Sequence, residues 1–289
     1  MLDRHVKQSP MAGNTGLGGG PTGNALGGGA GLTVTFNGND YVADDLPQQI
    51  TSAGTYNITV SADAWVTVTT QSQDGYATAK VKMEEGKTYQ GFIGQGSGSV
   101  APGYWTALFY QQAGNDASNN GPKCIMCGGV GSTSNPVGTG LGRAGYPQGG
   151  QGGKHPQSHG LPANMGGTGG RTDGYLQGVG GTKGEGGGGV PGAQDGTNGA
   201  FFESGTGGYA CDGSGRPGGF GYYGGGGGGG FWDYGSNYGG SGFGNGGGGS
   251  CYVGGLPPNA PYAVPVTNAE AGSNGTAGPI LKISAIEEA

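Results

Sequence analysis

The sequence is poor in charged and in apolar residues. Charged side chains make up 10% and hydrophobic side chains 32% of the 289 residues, which is too little apolar content for one large core over the whole chain. The net charge is −6 and the twelve basic residues are scattered, so the clustered positive surface that nucleic acid requires is missing. No apolar run reaches the length of about 18 residues that a membrane span needs. We therefore expect neither nucleic-acid binding nor membrane insertion.

The first ten residues do not have the pattern of a secretory signal. Residues 1–10 are polar and charged, without the apolar segment of a signal peptide. We therefore expect a chain that is made and assembled inside a cell without ordinary secretion. A virion component and a cytoplasmic protein both meet that condition.

Cysteine is scarce, and its spacing does not fit a metal site. Cys124 and Cys127 form a C-x-x-C pair, but Cys211 and Cys251 lie 40 residues apart. A zinc site usually needs a second close pair. Free thiols or a disulfide are the favoured interpretations, and no bound metal is expected.

Catalytic motifs are also missing. The pattern G-x-S-x-G of a nucleophile elbow does not occur. Gly153-Lys154 is followed by His155 rather than by Ser or Thr, so a phosphate-binding Walker loop is not formed. His155 and His159 are four residues apart, but Pro156 lies between them in a glycine context, which does not favour a helical metal-binding pair. We expect no enzyme activity and no cofactor.

Residues 31–127 contain a series of short β-strand patterns. Apolar residues alternate with polar ones, and Asn37-Gly38 supplies a hairpin turn signal between two stretches. This spacing predicts a mainly β fold, an antiparallel β-sandwich or jelly roll. The alternating positions include Leu32, Val34, Phe36, Tyr56, Ile58, Val60, Val66, Val68, Ala77, Ala79, Val81, Met83, Trp105, Ala107 and Phe109.

One more strand pattern lies at the C-terminal end. Within residues 256–289, a connector leads to Ile280–Ile286, where apolar and polar residues again alternate. We predict that this stretch rejoins the β-sandwich as its closing strand. Residues 128–255 then form a large insertion whose two ends are both anchored to a folded base.

Glycine dominates that insertion. Residues 128–255 hold 54 of the 78 glycines. Collagen requires glycine strictly at every third position, and the unbroken run Gly224–Gly230 violates that period. Two states remain, a flexible linker and a bundle of polyglycine II helices, which are extended, left-handed and rise about 3.1 Å per residue.

A polyglycine II bundle makes strict demands on its interior. Each ordered glycine costs about 0.5–1 kcal/mol more than alanine, and each hydrogen bond between helices contributes about 0.5–1.5 kcal/mol net. The bundle is therefore stable only if nearly every interior main-chain group is paired. A bulky residue at an interior glycine is expected to break several contacts at once.

Aromatic residues punctuate the insertion and are the best candidates for binding. Exposed aromatic side chains stack on sugar rings or fill pockets of a partner. The alternative is that they cover the ends of the bundle or pack against a neighbouring subunit. The candidate receptor-binding residues are Tyr222, Tyr223, Phe231, Trp232, Tyr234 and Tyr238.

Residues 1–30 form a polar arm punctuated by glycine. Its apolar residues, Leu2, Val6, Met11 and Leu17, follow neither a helical nor a strand period. Such a segment is expected to be disordered alone. We predict an anchoring arm that a neighbouring subunit holds in place.

Several glycine stretches resemble a known class of domain. Gly218-Gly219-Phe220, the run Gly224–Gly230 and the stretch Gly246–Tyr252 resemble motifs of the glycine-rich domains of phage tail proteins, above all the tail-fibre tip adhesins of T-even-like phages. The chain is also similar to the glycine-rich domain of the anaplastic lymphoma kinase receptor family. The resemblance implies stacked polyglycine II helices, a jelly-roll-like β module and, for the adhesins, receptor binding at the tip.

These features lead to competing expectations of function. The first is a virion surface protein (a tail fibre or tip, a head fibre or a decoration protein) that binds other virion proteins through its arm. A host glycan or outer-membrane protein is then the candidate receptor, and a homo-oligomer such as a trimer is the candidate assembly. The alternatives are a non-viral cell-surface or matrix protein and a phase-separating protein rich in glycine and tyrosine.

Overall fold

The computed structural model describes part of the chain. The described residues within Leu32–Ala289 belong to one compact unit. The predicted anchoring arm with Leu2, Val6, Met11 and Leu17 lies outside the described residues. The residues that the structure describes are 31–95, 104–111, 124–131, 198–199, 218–222, 224–226, 247–254, 264–274 and 278–289.

The described residues form two antiparallel sheets and contain no helix beyond the 3₁₀ turn Ala43–Asp45. The larger sheet has seven strands within these residues, in the order β10-β9-β8-β7-β4-β1-β2. Its strands are β1 (Val34–Phe36), β2 (Asn39–Tyr41), β4 (Gly54–Val60), β7 (Thr88–Gln95), β8 (Tyr104–Gln111), β9 (Cys124–Gly128) and β10 (Tyr252–Val253).

The smaller sheet has five strands within the same described ranges, in the order β11-β6-β5-β12-β3. Its strands are β3 (Gln48–Ile50), β5 (Ala64–Gln71), β6 (Gly75–Met83), β11 (Val266–Ser273) and β12 (Ile280–Glu288). The predicted mainly β fold, with two antiparallel sheets as in a sandwich, is confirmed.

The strands form where the alternation of apolar and polar residues predicts them. In β5 and β6 every second residue is buried, because neighbouring side chains on a strand point to opposite faces. The hairpin between β1 and β2 turns at Asn37 and Gly38, with φ angles of 53° and 77°. Both angles are positive, as the two central residues of a type I′ turn require, so the predicted turn is confirmed.

The main core fills the space between the two sheets. Gly91 of β7 lies so close to Leu281 of β12 that a Cβ on the glycine would overlap the leucine side chain. This contact joins the seven-stranded sheet directly to the five-stranded one. Fully buried core residues from both sheets include Val34, Ile58, Val66, Val68, Val81, Leu108, Met126, Leu281 and Ile283.

The C-terminal strand closes the five-stranded sheet. β12 pairs with β5 from Ile280 to Glu288 and with β3 through Leu281, Lys282 and Ile283. The prediction that the last apolar stretch rejoins the base is confirmed. The sequence did not predict β11, which pairs with β6 at the edge of the same sheet. Most of its residues are exposed, and Val266 is its one large apolar residue, so it carries no alternating apolar signal.

Candidate functional site

A β-bulge lies in β9, the strand of the seven-stranded sheet that the glycine-rich region follows in the sequence. Leu108 pairs with Met126 and Phe109 pairs with Cys124, so Ile125 is an extra residue in β9. The bulge brings Cys124 and Cys127 to the same face of the sheet, whereas a regular strand would place residues three positions apart on opposite faces. Ile125 and Met126 both pack into the main core instead.

The outer face of β8, β9 and β10 carries a second, smaller core. The rings of Tyr222 and Tyr252 stack there with their centroids 4.0 Å apart and their planes 22° apart. Phe92 and Trp105 pack at its border, with ring centroids 4.6 Å apart. Stacked aromatic pairs add to the stability that burial provides. The fully or nearly fully buried members are Ala107, Phe109, Cys124, Cys127, Tyr222 and Tyr252.

Cys124 and Cys127 belong to this cluster. The Cys251 thiol lies nearby, against the main chain of Gly129 and Gly272, and all three cysteines are buried. The Cys251 sulfur accepts a hydrogen bond from the Gly129 amide at 3.2 Å. Burial raises the pKa of Cys251 to about 12, and burial also raises the pKa of Cys124 well above its usual value. Both thiols are therefore neutral at physiological pH. Within the described ranges no group of three His, Cys, Asp or Glu side chains is placed to hold a metal ion.

Four described stretches of the glycine-rich region meet at this end of the sheet, and a fifth, residues 198–199, packs against the main chain of Gly224. We call residues 129–131, 218–222, 224–226 and 247–251 the glycine segments. The first continues β9 and the last leads into β10, so the packing of the segments is continuous with the sheet. Nearly all their residues are buried, although almost none carries a large side chain.

Main-chain hydrogen bonds join the glycine segments to one another. The amide of Val130 donates to the carbonyl oxygen of Phe220 at 2.7 Å. The carbonyl oxygen of the same valine accepts the amide of Gly249 at 2.9 Å. The two main-chain groups of Val130 are thus paired with two different segments, which removes the cost of burying them.

The segment 247–251 has bonded neighbours in more than two directions. The Gly219 amide donates to the Gly247 carbonyl oxygen, and the Gly247 amide donates to the Gly226 carbonyl oxygen, both at 2.8 Å. Together with the bond to Val130, segment 247–251 is hydrogen-bonded to all three other segments. A strand inside a β-sheet is bonded only to the two strands beside it, so this packing is not that of a single sheet.

The glycine segments approach each other more closely than any other residue type permits. A Cβ built on Gly249 would overlap the carbonyl oxygen of Phe220, and one built on Gly219 would overlap the carbonyl oxygen of Val130. In both cases the obstacle is main chain, which cannot turn aside as a flexible side chain can. Glycine is therefore required at these positions by space.

The structure changes the interpretation of one predicted binding residue. Tyr222 is fully buried against Tyr252, so it is corrected from a receptor-binding candidate to a packing residue. The physical reason is that the outer face of β8 and β9 is apolar and the tyrosine ring covers it. The other candidates, Tyr223, Phe231, Trp232, Tyr234 and Tyr238, lie outside the described residues.

Sequence reasoning missed the part that β9 plays. The stretch Cys124–Gly128 was considered only for its C-x-x-C spacing, whereas all five residues are buried in a strand. An apolar stretch that is buried on both faces lacks the alternation that identifies a half-exposed strand. The short apolar run Cys124–Cys127 ending in glycine was the signal that could have found it.

Known proteins give no family assignment for this chain. Comparison with protein families, with curated proteins and with solved structures yields no match. In the part of the chain that the structure describes, no helix is both long and apolar enough to cross a membrane. The functional argument therefore depends on the site itself.

Proposed function

We propose that this chain is a structural protein of a virion surface, in which a β-sandwich base carries a polyglycine II bundle that projects from the particle. The observation that carries the proposal is the hydrogen bonding of segment 247–251 to three other glycine segments. The chain is not proposed to be an enzyme and needs no cofactor in this role.

Polyglycine II packing explains why the segments bond in several directions. Its helices have three residues per turn, so successive main-chain groups point to three sides rather than to two. Each interior helix can then be bonded on every side if glycine allows close approach. The near-contact of Gly225 with the main chain of Gly247, which leaves no room for a Cβ, is the spacing that such a bundle requires.

The proposed bundle gives the protein a stiff projection without a large apolar core. Both ends of the glycine-rich insertion are joined to the sandwich, since β9 ends where it begins, β10 lies in its last residues, and β11 and β12 follow it. Anchoring both ends lowers the entropic cost of ordering the insertion. A projection of this kind would suit a fibre tip, a head fibre or a decoration protein.

The partners follow from this arrangement. The arm in residues 1–30 is proposed to bind other virion proteins, and a host glycan or outer-membrane protein is the proposed receptor. With Tyr222 assigned to packing, the receptor-binding candidates are Tyr223, Phe231, Trp232, Tyr234 and Tyr238. A homo-oligomer such as a trimer is the proposed assembly.

Amide hydrogen exchange on the purified chain tests the bundle. We expect strong protection of the amides of Gly219, Gly225, Gly247 and Gly249, because each donates to another main-chain carbonyl. Protection should also extend through Gly186–Gly189 and Gly224–Gly230. Exchange of these amides at random-coil rates would overturn the bundle for the isolated chain, and would leave either a flexible tether or a segment that is ordered only within its assembly.

The virion role is tested separately, on particles from the biological source of the chain. We expect the chain to be present in purified particles and to react with a protein-labelling reagent too large to enter them. Recovery of the chain only in the cell-envelope or matrix fraction would instead support the alternative, a non-viral structural protein of the cell surface.

Receptor binding is tested by host-cell binding of the purified chain. Trp232→Ala and Tyr223→Ala should each weaken binding at least tenfold, as loss of an aromatic anchor does. Trp65→Ala, on the outer face of the five-stranded sheet, is the matched control and should leave binding unchanged. Equal loss in all three variants, or in none, would exclude these aromatic residues as receptor contacts.

A further inference from the structure

A three-residue turn of the five-stranded sheet contacts both the start of the glycine-rich insertion and the strand that returns from it. We infer that this turn, Ser72–Asp74 between β5 and β6, is a clamp that couples the folding of the glycine segments to that of the β-sandwich. The inference rests on the proposed packing of the glycine segments, and it goes further by naming the residues that transmit stability or load between the two parts.

Ser72 joins the two sheets at the base of the insertion. Its hydroxyl accepts a hydrogen bond from the Thr106 amide of β8 at 2.7 Å and donates one to the carbonyl oxygen of Gly128 at 2.8 Å. The side chain is completely buried. Loss of the hydroxyl would leave both of these buried main-chain groups without that partner, and such groups are costly to leave unsatisfied.

Asp74 holds the returning strand. One oxygen of its carboxylate accepts a hydrogen bond from the Ser273 hydroxyl at 3.0 Å. Its main-chain oxygen accepts the Asn274 amide at 2.8 Å. Both partners lie at the end of β11, which follows the insertion in the chain.

The same aspartate also contacts the first glycine segment. Asp74 forms a β-bridge with Val130, and the Gly131 amide donates to the carbonyl oxygen of Gln73 at 3.4 Å. A Cβ on Gly131 would lie 2.6 Å from Oδ2 of Asp74. The carboxylate therefore packs directly on the glycine main chain.

The backbone conformation of Asp74 indicates that the aspartate side chain is needed at this position. Its φ angle is 91°, a left-handed conformation that favours glycine and is strained for a residue with a Cβ. If the conformation alone mattered, glycine would be the better residue. The presence of aspartate indicates that its carboxylate contacts matter, and strained residues of this kind often lie at functional positions.

Coupling follows from where these contacts lie. Val130 is bonded to Phe220 and Gly249 on one side and bridged to Asp74 on the other. Separation of the glycine segments therefore disturbs the Asp74–Val130 bridge, and unfolding of the turn removes that bridge from Val130. Contacts of this kind merge two regions into one cooperative unit.

The test compares how denaturant accelerates amide exchange in the two regions of the full chain. In the unmodified protein, the amides of Gly219 and Gly249 should follow the same denaturant dependence as core amides such as that of Val68. In Asp74→Gly they should exchange at least tenfold faster than the core amides, through an opening confined to the glycine segments. Asp74→Asn keeps an acceptor for Ser273 and should restore most of the coupling.

Two controls separate the clamp from strain and from general instability. Gln73→Ala changes an exposed side chain of the same turn and should behave like the unmodified protein. Asn37→Gly relieves a positive φ angle in a distant hairpin and should change neither region relative to the other. The clamp is overturned if, in Asp74→Gly, the amides of the glycine segments still follow the same denaturant dependence as the core amides. It is also overturned if Asp74→Gly stabilises both regions, as relief of backbone strain would.

The outcome also distinguishes the clamp from the proposed bundle. Random-coil exchange of Gly219 and Gly249 in the unmodified chain would overturn the bundle itself. Strong protection there that is unaffected by Asp74→Gly and by Ser72→Ala would leave the bundle standing and exclude the clamp.

Discussion

The main chain of Gly249 packs directly on the carbonyl oxygen of Phe220, with no space for a Cβ between them. These two residues are 29 positions apart in the sequence, and neither is in a β-strand. Their contact brings together two segments of a region that composition alone would class as a linker. It shows how a glycine-rich region can acquire a defined packing, because glycine lets main chain touch main chain.

The first prediction concerns space at the glycine segments. Gly249→Ala should lower the free energy of unfolding by about 2 kcal/mol or more, since overpacking typically costs about 1–3 kcal/mol and the obstacle is main chain. Gly278→Ala is the matched control, because nothing lies within 4 Å of a Cβ there. It should be neutral or slightly stabilising. Urea unfolding of both variants is the measurement, and equal effects would contradict the close packing.

The second prediction concerns the stacked tyrosines. Tyr222→Ala and Tyr252→Ala should each cost about 3–5 kcal/mol, the range for removing a buried aromatic ring. The double variant should cost less than the sum by about 0.5–1.5 kcal/mol, the coupling expected for an aromatic pair. Chemical denaturation of the four proteins of this cycle measures it. Full additivity would mean that the two rings do not contact in solution.

The third prediction tests the contact between the sheets. Gly91→Ala should destabilise the protein by about 1–3 kcal/mol, because the new methyl group would overlap the Leu281 side chain. Leu281→Ala alone should cost about 2–5 kcal/mol by leaving a cavity. In the double variant the methyl group added at position 91 occupies part of that cavity, so the combined loss should be smaller than the sum. Thermal unfolding of all three variants decides this, and a sum or more would contradict the packing.

The fourth prediction is a dependence of stability on alkaline pH. Burial raises the pKa of Cys251 from 9.0 to about 12, so at a pH between these values the thiol is neutral when folded and ionised when unfolded. Its contribution to stability is complete below pH 9.0 and is lost as the pH rises towards 12.

The variant Cys251→Ser isolates this effect. Serine keeps an acceptor for the Gly129 amide but does not ionise in this range. The fall in unfolding free energy from about pH 8 to about pH 10 should be smaller in the variant. It should not vanish, because burial also raises the pKa of Cys124. An identical pH slope in both proteins would show that Cys251 is not buried as described.

A strand was predictable from the sequence where one of its faces is buried and the other is exposed. β5 and β6 were predictable because each has one face in the core and one in solvent, which enforces alternation along the strand. β11 was missed because it lies at a sheet edge and most of its residues are exposed, so its pairing with β6 leaves no alternation of apolar side chains. β9 was missed because both its faces are buried.

The candidate site was predictable only in part. The composition reveals that glycine is abundant, but it cannot single out the described positions where a Cβ would overlap main chain, among them Gly219, Gly225 and Gly249. Tyr222 belonged to a cluster predicted to bind a receptor. Its burial depends on Tyr252 and on the bulged strand β9, which are distant from it in sequence.

The sequence by itself determined the β character of the base, the hairpin at Asn37 and Gly38, and the closing role of β12, because these depend on side-chain alternation and on local turn conformation. Only the tertiary structure decided which glycines touch and which face the C-x-x-C cysteines share. It also decided that Ser72 contacts Gly128 and that Asp74 contacts both Val130 and Ser273. Those features arise from main-chain contacts between distant segments. Main-chain groups are nearly the same in every residue, so the pattern of side chains does not predict where they will pair.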